Sequence, residues 1–207
     1  MQPIDNIKNF IHRENYNLPY WWSDHNIDIQ NLKSGNISKI FSEVSFEVSE
    51  EACNIPFNEI LPGIYLGNEY GAGKILGRKN EAVTHLKKEQ LLENGINTIV
   101  CCTESSVHYF SPSEFVYIDI PLVDSDVKLE DAFPRDFLET IDKRVKQGGV
   151  LIHCAAGISR SGSAMIIYLS YKFPHLSYDQ ILNFLKEKRP CVQPNEHFQK
   201  QLIGMID

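Results

Sequence analysis

Cys154 and Arg160 are separated by five residues, Ala, Ala, Gly, Ile and Ser, where an apolar run gives way to a helical pattern. That spacing can cradle an anion. Small side chains and Gly157 let the backbone curl so that successive N–H groups point inward. Ala155, Ala156, Gly157, Ile158 and Ser159 offer those amides, and a helix opening at Arg160 adds its positive end. The Arg160 guanidinium can hold two phosphate oxygens bidentately, which a lysine cannot do. A thiol amid so much positive potential ionises readily and is set for in-line attack on phosphorus. Ser161 can donate its hydroxyl to the sulfur, stabilising the thiolate and easing its departure when a phosphocysteine is hydrolysed. With amides and Arg160 neutralising the phosphate, this chemistry needs no metal and no cofactor. The plainer alternative is a strand-to-helix turn that happens to hold a buried cysteine. The full string, VLIHC followed by AAGISRSG and a helix, is narrower than such a turn requires.

Strands and helices alternate around this loop. Residues 63–68 (GIYLGN) read as a short strand, 84–95 as a helix ended by Asn-Gly, and 96–102 (INTIVCC) as a buried strand. Residues 114–122 give a further strand, and 130–149 an amphipathic helix stopped by two glycines. VLIHC is a buried strand and residues 161–173 a largely apolar helix. Ser177 with Gln180 forms a capping box for the next helix, and Asn195 can cap the last one. The pattern predicts an α/β domain with a central, mostly parallel sheet flanked by helices. Such sheets bind ligands where strand ends meet helix starts, which is where Cys154 lies.

The 207 residues suit one domain with an appendage, and 43% hydrophobic with 23% charged residues is ordinary for a globular chain with a real core. A net charge of −7 argues against nucleic acid as a partner. Five cysteines without zinc-type spacing fit reduced thiols in the cytoplasm or nucleus. No stretch has the length and apolarity of a membrane span, and no signal peptide is evident. Residues 1–56 form an N-terminal extension of different texture, and 57–207 the domain proper. Within the extension a helix is expected near residues 4–14. Trp21 and Trp22 should pack on the domain or bind a partner. Residues 69–84 form a polar insertion whose start, GNEYGAGK, only faintly echoes a nucleotide-binding loop. Its glycines are one residue too far apart, and Ile75 stands where Ser or Thr is needed.

The segment VLIHCAAGISRSGSAMIIYL resembles the signature of cysteine-dependent protein phosphatases, in the dual-specificity branch. LPGIYLGNEYGA, GINTIVCCTES and PCVQPNEHFQKQL resemble further segments of that family, so the likeness spans residues 57–206. The resemblance implies hydrolysis of phosphotyrosine and phosphoserine/threonine in phosphorylated protein substrates through a phosphocysteine. It implies a general acid at Asp124, thirty residues before Cys154, with Asp126 as the alternative. It gives His153 a supporting role in ordering the loop, and makes Cys102 a candidate redox partner for Cys154. Adjacent strand residues face opposite ways, so at most one of Cys101 and Cys102 should reach Cys154. Two other readings stay open. The same chemistry could act on a phospholipid, an RNA 5′-phosphate or a glycan phosphate, or the domain could bind phosphoproteins without turning them over.

Overall fold

In a computed structural model, residues 55–75, 81–125 and 127–207 are described. Among them the strands are β1 (Phe57–Leu61), β2 (Ile64–Asn68), β3 (Ile96–Cys101), β4 (Val116–Asp119) and β5 (Gly149–Cys154). The helices are α1 (Glu81–Glu93), α2 (Leu129–Ala132), α3 (Arg135–Val145), α4 (Arg160–Lys172), α5 (Tyr178–Lys188) and α6 (Glu196–Ile206). The helix anticipated over residues 4–14, Trp21, Trp22 and Asp126 lie outside the described residues.

The strands form one sheet in the order β1-β2-β5-β3-β4, parallel except for the antiparallel β1–β2 pair. β5 is the middle strand and every residue in it is buried, which explains why its sequence is a continuous apolar run and not an alternating one. Its side chains still divide between two cores. Val150, Ile152 and Cys154 point into the larger core with Met165, Leu169, Leu185 and Phe198, while Leu151 packs in a smaller one with Leu91, Ile99 and Phe115. Each fully buried aliphatic side chain of this kind contributes about 1.5–3 kcal/mol.

Four strand ends converge at one edge. Cys101 pairs with His153 across β3–β5 and with Asp119 across β3–β4, and Asn68 pairs with Cys154 across β2–β5. The loops that leave these ends therefore meet at the point where β5 turns into α4. Helix α4 is buried continuously from Ser161 to Leu169, so its first turn cannot shift without disturbing the core.

Two local expectations are corrected. The single helix expected over 130–149 is divided at Pro134 into α2 and α3, because proline has no N–H to continue the ladder and instead stands as the N-cap of α3. Helix α1 starts at Glu81 and takes in Thr84, which shortens the insertion anticipated up to that residue. Strand β1 is an edge strand over residues for which the sequence pattern predicted no strand. The capping box of Ser177 and Gln180 and the Asn195 cap form as expected.

Candidate active site

The loop from Cys154 to Arg160 has its carbonyls tied from outside. Ala155 O accepts from the Glu69 N–H at 3.3 Å and Ile158 O from the Gln193 N–H at 3.1 Å. Between them, Arg189 donates from Nε to Gly157 O at 3.0 Å and from an Nη to Ala156 O at 3.5 Å. In a planar trans peptide the N–H lies opposite the C=O. Four outward carbonyls therefore turn the N–H groups of Ala156, Gly157, Ile158 and Ser159 into the loop. The Gly157 N–H meets the Cys154 Sγ at 3.2 Å. Gly157 adopts φ +71°, and a Cβ there would lie 2.5 Å from Gly67 O and 2.6 Å from the Arg189 guanidinium. Only glycine fits both the backbone and the space.

Ser161 supplies the second donor to sulfur, its Oγ lying 3.1 Å from Cys154 Sγ, and both residues are buried. Ser159 stands at the N-cap of α4 without capping it, which leaves the first-turn amides available. Its hydroxyl is spent elsewhere: it donates to Asp124 Oδ1 at 2.6 Å and accepts from the Asn195 N–H at 3.1 Å. Asn195 Nδ2 also donates to Asp124 Oδ1, at 2.8 Å. Two side chains thus hold Asp124 at the rim. Its Oδ2 lies 3.8 Å from Arg160 Nε, too far for a hydrogen bond, so the buried Nε has no partner. A buried guanidinium N–H left unpaired is suited to receive an anion.

His153 is 2% exposed, and burial pushes its pKa down to about 4, so its ring is neutral. Its Nδ1 faces the Cys154 carbonyl at 3.4 Å. Cys102 lies in the same core as Cys154, whereas Cys101 lies on the opposite face of β3 and contacts the Thr103 hydroxyl at 3.0 Å. Burial, then the neighbouring Cys154 and Cys101, pushes the Cys102 thiol well above its usual range, against the pull of Arg160. Asp119 ends β4 facing His108 at 3.0 Å, and Asp131 sits in α2, so neither enters the loop.

Sequence reasoning missed Arg189 and gave Asn195 only its capping role. Arg189 is fully buried and also donates to Ile55 O at 3.0 Å and Asn58 Oδ1 at 2.7 Å. A lone arginine before Pro190 at a helix end carries no local signal for such a role.

Residues 76–206 match the sequence model of the family described as "Dual specificity phosphatase, catalytic domain". The chain belongs to the dual-specificity phosphatase family. Human dual specificity protein phosphatase 21 is 33% identical over 151 residues, covering 72% of this chain and 70% of that protein. Human dual specificity protein phosphatase 9 is 31% identical over 147 residues, covering 70% of this chain but only 35% of that protein. The chain thus aligns with about a third of that longer relative. Among solved structures, the human tyrosine phosphatase-like serine/threonine/tyrosine-interacting protein superposes with a TM-score of 0.60 at 29% identity. That alignment covers 72% of this chain and 94% of the other. The dual-specificity phosphatase fold accounts for the parallel sheet and for the position of the loop between β5 and α4.

Proposed function

We propose that this chain is a protein phosphatase hydrolysing phosphotyrosine and phosphoserine/threonine through a phosphocysteine. The observation that carries this reading is the Cys154 sulfur, which receives hydrogen bonds from Gly157 N–H at 3.2 Å and Ser161 Oγ at 3.1 Å beneath an inward ring of amides. Both donors can stabilise negative charge on the sulfur as it attacks and as it leaves. The bound phosphate is held by those amides and by Arg160, with its phosphorus over sulfur. Sulfur attacks, the P–O bond to the substrate breaks, and Asp124 gives its proton to the leaving oxygen. Asp124 then takes a proton from water as that water attacks the phosphocysteine. Ser161 stabilises the departing thiolate, and inorganic phosphate leaves. Phosphorylated proteins are the substrates this reading favours, and comparing turnover on phosphopeptides, phosphoinositides and 5′-triphosphorylated RNA tests it. Turnover confined to either of the last two sinks the protein-phosphatase assignment.

The role given to Asp124 has its own test. Asp124→Ala should slow phosphoserine peptide hydrolysis about 10²–10³-fold, and p-nitrophenyl phosphate much less, since that leaving group needs little help from an acid. Near-normal rates on phosphoserine would transfer the role to Asp126.

Cys102 shares the core with Cys154, which supports a redox role for it. Peroxide would oxidise Cys154 to a sulfenic acid, and Cys102 would displace water to close a disulfide. Peptide mapping after peroxide treatment should yield a crosslinked Cys102–Cys154 pair, and its absence at full inactivation removes the role. Free thiols at Cys101, Cys102 and Cys154 support a reducing, cytoplasmic setting. That β1 and β2 belong to the same sheet as β5 supports a catalytic domain spanning residues 57–207.

A further inference from the structure

Beside the loop lies a cleft of about 260 Å³ that shares Ala155 and Arg160 with it and is walled by Glu69, Thr103, Glu104, Tyr109 and His153. Two hydroxyl hydrogens of this cleft are already committed. The Thr103 hydroxyl donates to Ser105 O at 3.0 Å, and the Tyr109 hydroxyl to Glu69 Oε2 at 3.5 Å. Arg160 turns its guanidinium toward Leu122 O and Asp124. Acceptors, in contrast, are left over. The His153 Nδ1 faces the Cys154 carbonyl, and the tautomer that donates to it leaves the buried, unpartnered Nε2 as a lone pair. Glu69 is already engaged by Lys74 and by the Tyr109 hydroxyl. Glu104 is exposed on the loop after β3 and makes no ion pair among the described residues.

An exposed carboxylate beside an unpartnered lone pair suits a cation carrying several N–H donors. We infer that this cleft is a subsite for a lysine or arginine side chain of the phosphoprotein substrate, held by Glu104 at its mouth with His153 in its wall. The same acceptors disfavour a second phosphate or a carboxylate beside the phosphorylated residue. The inference rests on the phosphatase reading above and adds a substrate preference to it.

Phosphotyrosine peptides carrying Lys, Ala or Glu in turn at each of the three positions on either side test it. In the natural protein, kcat/KM at one or more positions should run Lys above Ala by about fivefold, with Glu lowest. Glu104→Gln should flatten that order and Glu104→Lys should reverse it, each read as a ratio between peptides within one variant. Equal rates for Lys, Ala and Glu peptides, or an order unchanged in Glu104→Lys, overturn the subsite and leave the phosphatase reading standing. No turnover of any phosphopeptide or of p-nitrophenyl phosphate by the natural protein overturns both. Glu104 lies on an exposed loop, so melting temperatures should match and keep a folding defect out of the comparison.

Discussion

Replacing Cys154 with serine is expected to remove phosphopeptide turnover by at least about 10⁴-fold while phosphopeptide binding survives. Serine occupies nearly the volume of cysteine at this 2% exposed position, and its oxygen still accepts from Gly157 N–H and Ser161 Oγ. What it lacks is acidity. An alcohol under the same donors stays protonated where a thiol can ionise, so the attack on phosphorus has no anion behind it. The inward amides and Arg160 are untouched, so the phosphate still finds its seat. Steady-state assays with calorimetric titration of a phosphopeptide separate the two effects. Turnover within tenfold of the natural protein would falsify Cys154 as the nucleophile.

Arg160→Ala should fail on both counts, losing about 10³-fold or more in kcat/KM together with measurable binding. The side chain is 16% exposed and its Nε is unpaired, so its hydrogen-bonding capacity is not spent within the protein. Lysine should not rescue it, because a point charge cannot reproduce two parallel N–H bonds from a planar fork. Loss of the guanidinium also removes the cation beside Asp124, leaving that carboxylate with Ser159 and Asn195 alone. An Arg160→Lys variant with natural affinity for phosphopeptide would show that charge alone suffices.

The part of the site that could be read from the chain is the part built from neighbours in sequence. The Cys154-to-Arg160 loop, the strand before it and the helix after it depend on contacts within a few residues, and their pattern is visible in one string. The two capped helices after residue 176 are equally local, with Ser177 and Asn195 acting three residues ahead. What lay out of reach depends on packing. Arg189 meets Gly157 across 32 residues and Asn58 across 131, which follows only from where α5 lies against β1. Asn195 looks like a helix cap and serves as one, yet its Nδ2 reaches Asp124 across 71 residues. The division at Pro134 was a different failure. Proline was present in the string, but the amphipathic period on either side outweighed it.

The Arg189 guanidinium grips the loop with one side and the stretch from Ile55 to Asn58 with the other. The segment matched by the family's sequence model begins at residue 76, well after that second grip. A fragment trimmed to the match would keep Cys154, Arg160 and Asp124. It would lose two of the anchors that hold Arg189 in register, along with Gly67, whose carbonyl abuts Gly157, and Glu69, whose amide tethers Ala155. The support of the reactive loop is therefore wider than the recognisable segment and reaches back to Ile55.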